Sequence, residues 1–191
     1  MNKTIIASVL ALGTSIFSTA QAADYKIDTR GAHASIEFKI KHLGYSWLTG
    51  RFNRFEGDFS YDAANPEQAK ISVTIDPASI DSNHAERDKH LRGRDFLAVN
   101  YFKESKFNSS KIEDLGNGKL KVYGDFTLHG VTKPIVINAE KVGEGKDPWG
   151  GYRVGFTGTT EFKLADYDMT YDLGPASANI FITLNIEGIK K

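Results

Sequence analysis

Ala34-Ser35-Ile36-Glu37-Phe38-Lys39-Ile40 is the stretch that decides the fold. Apolar side chains fall at every second residue with Ser35, Glu37 and Lys39 between them. That is the two-residue period of a strand with one face buried and the other in water. The same reading fits Phe55, Gly57, Phe59 and Tyr61, and then Ile71, Val73 and Ile75. It returns at Leu120, Val122, Gly124, Phe126 and Leu128, where Lys119, Lys121, Tyr123 and Asp125 form the wet face. Phe52 is out of phase with Phe55, which predicts a bulge near Asn53 and Arg54.

Further strands are expected at Tyr25 to Asp28, Lys106 to Ile112, Val131 to Val142, Tyr152 to Leu164 and Asn179 to Ile189, about eight or nine in all. Turn-forming residues separate them: Asn65-Pro66, Gly116-Asn117-Gly118, His129-Gly130, and Gly143 to Gly151 around Pro148. Short links with no helical spacers favour antiparallel pairing, and hence an all-β barrel or sandwich. A barrel of about eight strands can hold one small ligand inside.

The amino terminus reads differently. Lys3 precedes an uncharged, largely apolar run from Ile5 to Phe17, and Ala20-Gln21-Ala22 supplies a small-x-small cleavage site. The run falls short of the roughly 20 apolar residues a membrane helix needs, so residues 1–22 are expected to be a cleaved signal peptide and 23–191 a single mature domain. With 24 basic and 24 acidic side chains, the balance argues against a nucleic-acid partner. No cluster of four or more basic residues is present to draw the protein steadily to anionic membranes. A near-neutral surface is compatible with a homodimer but names no interface. The chain has no cysteine. That excludes disulfides, thiolate metal sites, a Cys nucleophile and a lipoprotein anchor.

One interval, Pro77 to Tyr101, breaks the β pattern. Ser82 or Asn83 is the expected N-cap of a short helix carrying His84, Glu86, Arg87, Asp88, His90 and Arg92. At helical spacing His84 and Asp88 share a face, as do Glu86 and His90. Such a face suits either a metal site or headgroup clamp, or a solvated helix laced with weak ion pairs. Trp47 and Trp149, in Gly-flanked segments, suit half-wet rim positions or core anchors. The motifs of nucleophile elbows, zinc proteases, P-loops, EF-hands and dinucleotide sites are absent.

A resemblance gathers these parts. The chain carries His42-Leu43-Gly44 with Gly50-x-Phe52-x-x-Phe55-x-Gly57, then Asn83 through Leu91, then Phe126-Thr127-Leu128-His129-Gly130-Val131-Thr132-Lys133-Pro134. Asp147-Pro148-Trp149-Gly150-Gly151 and Asp172-Leu173-Gly174-Pro175-Ala176 follow in order. Together these blocks closely resemble the YceI family of bacterial periplasmic proteins. Many relatives carry Tyr-Pro where this chain has Tyr101-Phe102. The resemblance implies a lipocalin-like, eight-stranded antiparallel barrel with a short helical insertion. It also implies a periplasmic location, an apolar tunnel for a polyisoprenoid or other long-chain amphiphile such as a quinone, no catalysis and no metal or other cofactor. The wall of a hollow barrel would be Ile36, Phe38, Phe59, Ile75 and Val122 on one reading of the inward face, continued by Phe126, Ile137, Phe156, Ile182 and Leu184. Gly57, Gly124 and Gly158 would leave room for the chain. His84, Arg87, Asp88, His90 and Arg92 are the expected headgroup contacts at the mouth. The alternative is a barrel hydrolase or isomerase using the His84 to Arg92 segment as acid or base.

Overall fold

The computed structural model describes residues 22–191, so the expected signal peptide lies outside the described residues except for Ala22. The chain forms β1 (Ala23–Ile27), β2 (Ser35–His42), β3 (Ser46–Phe52), β4 (Phe55–Tyr61), β5 (Lys70–Ile75) and β6 (Ile80–Asp81). After the single α-helix among the described residues, α1 (Ala85–Leu91), come β7 (Ser105–Asp114), β8 (Lys119–Leu128), β9 (Val131–Lys146), β10 (Tyr152–Lys163) and β11 (Asn179–Lys190). Burial follows the alternation read from the sequence: Ile36 and Phe38 are buried on β2 while Glu37 and Lys39 are exposed.

Strands β1, β4, β5, β7, β8, β9, β10 and β11 pair in that order, and β11 returns to β1 through Tyr25↔Lys190 and Ile27↔Gly188. The result is a closed, eight-stranded antiparallel barrel. Its seam is unusual because β11 is shared. The carboxyl-terminal part of β11 pairs with β1, and its amino-terminal part pairs with β2, from Ile180↔Ile40 to Asn185↔Ser35. From β2 the sheet continues as a flap through β3 to β6. Beyond β6 the segment carrying α1 takes over: Leu91, Leu97 and Val99 pack with Phe38, Ile80 and Leu128 at that end of the barrel.

Strands β3 and β6 were not anticipated. On β3 the inward position between Leu48 and Phe52 is Gly50, and a β-carbon there would collide with the Phe38 ring lying across it. The expected bulge at Asn53-Arg54 is instead a corner where the chain changes partners. Phe52 pairs with Ile36 and Ile80, and Phe55 pairs with Ile75. The corner is stapled by Asn53 N donating to Ser79 O at 3.1 Å, Arg54 N to Ser79 Oγ at 2.9 Å, and Asp76 N to Arg54 O at 3.0 Å. Phe102 packs its ring 4.6 Å from that of His129, over the turn joining β8 to β9.

At the end of the barrel where β1 enters, one guanidinium holds three carboxylates. Arg153 Nε donates to Asp147 Oδ2 at 2.8 Å, and its Nη1 to Asp28 Oδ2 at 2.8 Å and Glu187 Oε1 at 2.5 Å. His33 Nδ1 lies 2.9 Å from Asp28 Oδ2. The cluster ties the β1–β2 turn and the β9–β10 hairpin to the seam. The His33 and Arg153 hydrogen bonds hold the Asp28 carboxyl down at about 2. Since the folded value lies below the unfolded one, this stabilisation is complete above about pH 5 and is lost as the pH falls through 4 toward 2. Screening around the partly open cluster limits it to about 1 kcal/mol. Urea unfolding should therefore show wild-type stability declining between pH 5 and pH 2. The decline should be shallower in Asp28→Asn, and equal slopes would contradict the assignment.

Candidate functional site

The inward-facing residues enclose a cavity of about 490 Å³ that runs along the barrel. Every wall residue expected from the alternation lines it. Strand β2 supplies Ile36 and Phe38, β4 supplies Phe59 and β5 supplies Ile75. Across the barrel stand Val122 and Phe126 of β8, Ile137 of β9, Phe156 of β10, and Ile182 and Leu184 of β11. The lining is nearly all hydrocarbon, and its volume falls within the range of pockets that bury a small ligand. At the far end Tyr61 stands edge-on to Phe156 at 5.1 Å, with the Lys141 ammonium 5.9 Å from its ring centre. Lys141 is paired there with Glu144 at 3.0 Å.

Of the three glycines expected to leave room, one does. Gly158 borders the cavity. Over Gly57 the space is taken by Ile27 Cδ1, which a β-carbon would meet at 2.8 Å, and over Gly124 by the Phe107 ring at 2.5 Å. These glycines let neighbouring side chains lie flat against the wall rather than opening it.

The mouth is at the α1 end. Leu43, in the β2–β3 turn, and Tyr171, in the β10–β11 connection, line the cavity and are also exposed, at 58% and 49%. Among the five expected headgroup contacts, Arg87 and His90 reach the lining. The His90 ring stands edge-on to Phe96 at 5.0 Å and to Tyr171 at 5.6 Å, with Nε2 3.5 Å from Asp95 Oδ2. Asp88 is buried, and its Oδ1 accepts from Ser82 N at 2.8 Å and from Ser82 Oγ. Arg92 Nη1 donates to Ile80 O at 3.3 Å. His84 proves to be the helix N-cap, its Nδ1 accepting from Arg87 N at 3.2 Å. The expected caps fail for local reasons. Ser82 Oγ is engaged by Asp88 and by Arg87 Nε, and Asn83 sits at φ +60°. His84, Asp88 and Arg92 thus shape the segment, and Arg87 does so as well, its Nη2 donating to Ser82 O at 2.5 Å, while Arg87 and His90 both border the cavity.

Strand alternation says nothing of the mouth residues Leu43, Phe96, Met169, Tyr171 and Leu173, which come from connections. The signal that could have found them is the block His42-Leu43-Gly44 and the turn Asp172 to Ala176, which place apolar side chains in exposed loops. Both tryptophans are exposed, Trp47 on the outer face near the mouth and Trp149 in the β9–β10 hairpin at the far end, its ring 5.5 Å from the Arg153 guanidinium. Among the described residues, Asp28, His33 and Glu187 have metal-ligating atoms within 4.8 Å of one another, but Arg153 already bridges both carboxylates.

Tyr167 packs against the rings of Phe126 and Phe162, which line the cavity, and is fully buried with its hydroxyl unpaired. Burial pushes that hydroxyl up to about 12, so it stays neutral. An unsatisfied buried hydroxyl costs stability, so Tyr167→Phe is expected to raise the unfolding free energy by about 1 kcal/mol. Chemical denaturation checks this, and a loss of stability would show that the hydroxyl has a partner.

A closed eight-stranded antiparallel barrel around an apolar cavity, open at one end, defines a lipocalin-like class of fold. Comparison with known proteins narrows it: the YceI-like domain matches residues 25–188, and the chain belongs to that family. It is 56% identical to a UPF0312 protein of Shewanella sp. (strain ANA-3) over 191 residues, covering all of both chains. The crystal structure of the Campylobacter jejuni YCEI protein superposes with a TM-score of 0.73 at 31% identity, covering 80% of this chain and 90% of that one. A polyisoprenoid binding domain from Saccharophagus degradans, implicated in plant cell wall breakdown, shares the fold. Its TM-score is 0.64 at 16% identity, over 90% of this chain and 100% of that domain. No helix among the described residues is long and apolar enough to cross a membrane.

Proposed function

We propose that this protein binds and carries a polyisoprenoid or other long-chain amphiphile in the bacterial periplasm, with the hydrocarbon tail in the barrel and the polar head at the mouth. The observation that carries this is the cavity itself, a hydrocarbon-walled space with polar residues, Arg87 and His90 among them, at its open end. Burial of each CH₂ of a tail contributes about 0.8 kcal/mol, so a chain of several isoprene units is held without polar contacts along its length. Arg87 and His90 suit a phosphate, quinone or amide head. The polyisoprenoid-binding domain that shares the fold supports a ligand of this class. The leader read in residues 1–22 supports export, and a cysteine-free barrel is indifferent to an oxidising compartment. A hydrolase or isomerase reading keeps only His90 of the His84 to Arg92 histidines at the cavity, since His84 and Asp88 are committed to the α1 segment and do not line it.

The test is displacement of a fluorescent fatty acid from delipidated protein by prenols of increasing length. Affinity should rise with each added isoprene unit and level off once the chain outruns the cavity. Affinity independent of length, or no displacement at any length, would overturn the proposal. In the native cell the protein should be released by osmotic shock with Ala23 at its amino terminus; recovery in the cytoplasmic fraction would contradict the location.

A further inference from the structure

The β2–β3 hairpin projects at the mouth, and its tip is built against the usual rule. Tyr45 N donates to His42 O at 2.9 Å across the two-residue loop Leu43-Gly44, and both loop residues have positive φ, 52° and 83°. Two-residue hairpin turns of this form select Asn or Asp before Gly, because a bulky side chain is strained there. Leu43 bears that strain with its side chain largely in water, so the fold gains little burial from it. A strained and exposed apolar residue points to a task outside the fold.

Its surroundings say what the task is. Tyr45 is 87% exposed and Trp47 is 47% exposed, and both stand on the hairpin beside Leu43. On the outer face Lys39 Nζ lies 4.9 Å and Lys41 Nζ 5.6 Å from the Trp47 ring, which meets Phe181 edge-on at 5.5 Å. Glu161 lies opposite Phe181 in the ladder, so the two lysines leave this patch positive. Asp172, beside exposed Tyr171, is turned into its own loop, Oδ1 accepting from Gly174 N at 2.7 Å. Apolar and aromatic side chains at a tip, with lysines set behind them, match the layering of a bilayer, where aromatic rings sit at headgroup level and lysines reach anionic phosphates.

We propose that the Leu43–Trp47 hairpin tip, with Tyr171 across the mouth and Lys39 and Lys41 behind, is a reversible docking edge for an anionic phospholipid bilayer. Leu43 and Tyr171 also line the cavity, so docking sets the mouth directly against the acyl chains. This gives the carrier a route by which a tail passes between bilayer and barrel without crossing water, and it rests on the lipid-carrying role proposed above. Two lysines and a short apolar tip give transient attachment, in keeping with a basic content too dispersed for steady binding.

The experiment is flotation of cargo-free protein with vesicles of phosphatidylethanolamine containing about a quarter phosphatidylglycerol. Wild type should float, and Leu43→Asn/Tyr45→Ser should reduce the bound fraction by about tenfold or more. The variant must remain folded, and Leu43→Asn alone should keep or raise the melting temperature because Asn suits the turn. Tyr45→Ser/Trp47→Ser, at two positions outside the cavity lining, should lose flotation to a similar extent while leaving prenol displacement in solution unchanged. Wild type that fails to float, or a variant that floats equally well, would overturn the docking edge. Loss of prenol binding by wild type in solution would overturn the carrier role alone, because flotation is read without cargo.

Discussion

Arg153→Met is expected to lower the melting temperature at pH 7 by about 5 °C or more. Arg153 is the one side chain that touches Asp28, Asp147 and Glu187 together, and the Asp28 and Asp147 side chains are only 6% and 7% exposed. Removing the guanidinium leaves these carboxylates facing one another, with Glu187 on the more open side of the cluster. It also frees the β1–β2 turn and the β9–β10 hairpin from the seam. Lysine should rescue only in part, because a point charge on a flexible stem cannot reproduce the planar fork that reaches three partners. Adding Asp28→Asn to Arg153→Met should recover part of the loss by removing one of the like charges. Thermal unfolding followed by circular dichroism decides the matter, and a melting temperature within a degree or two of wild type would contradict the clamp.

Filling the cavity should separate binding from folding. Leu184 and Ile137 lie on either side of Gly158, with Leu184 Cδ1 3.6 Å and Ile137 Cγ2 3.0 Å from where a Gly158 β-carbon would stand. Leu184→Trp with Ile137→Phe places two rings where the tail would run. Displacing about four methylenes at roughly 0.8 kcal/mol each predicts a loss of prenol affinity of 100-fold or more. The apo protein should be as stable as wild type or more so, because the new side chains enter empty space rather than a packed core. Retained affinity would mean that the tail lies elsewhere, and a fall in both stability and affinity would mean that this part of the barrel is packed rather than hollow.

The parts of the fold legible in the sequence are those where one strand reports its own environment. Ile36 and Phe38, and Val122 and Phe126, alternate with neighbours that are polar or carry a polar tip, Ile182 and Leu184 keep the same two-residue register, and all six form the wall without knowledge of what they face. Strand β3 was hidden because its inward position is Gly50, whose place is taken by a ring from β2. A similar cause reverses the expectation for Gly57 and Gly124: a missing side chain can signal a gap or a place filled by a neighbour, Ile27 in one case and the Phe107 ring in the other. The Arg153 clamp joins residues as distant as Asp28 and Glu187, and no local period links them. The mouth lies in loops, so Leu43 and Tyr171 escaped the strand reading. In α1 the helical spacing set His84 and Asp88 on one face, but His84 is the exposed N-cap, accepting from Arg87 N, while Asp88 is buried against Ser82, pairings that spacing alone does not reveal.

The central claim is that the barrel encloses a long-chain lipid in the cell. It is met most directly by native mass spectrometry of the protein purified without detergent from the organism that makes it, followed by extraction and identification of whatever it holds. The expected result is one molecule of a long-chain isoprenoid-type amphiphile per chain, released on denaturation and absent from the Leu184→Trp/Ile137→Phe variant. Repeated recovery of the wild-type chain at its bare mass, or of a small polar ligand in its place, would contradict the claim.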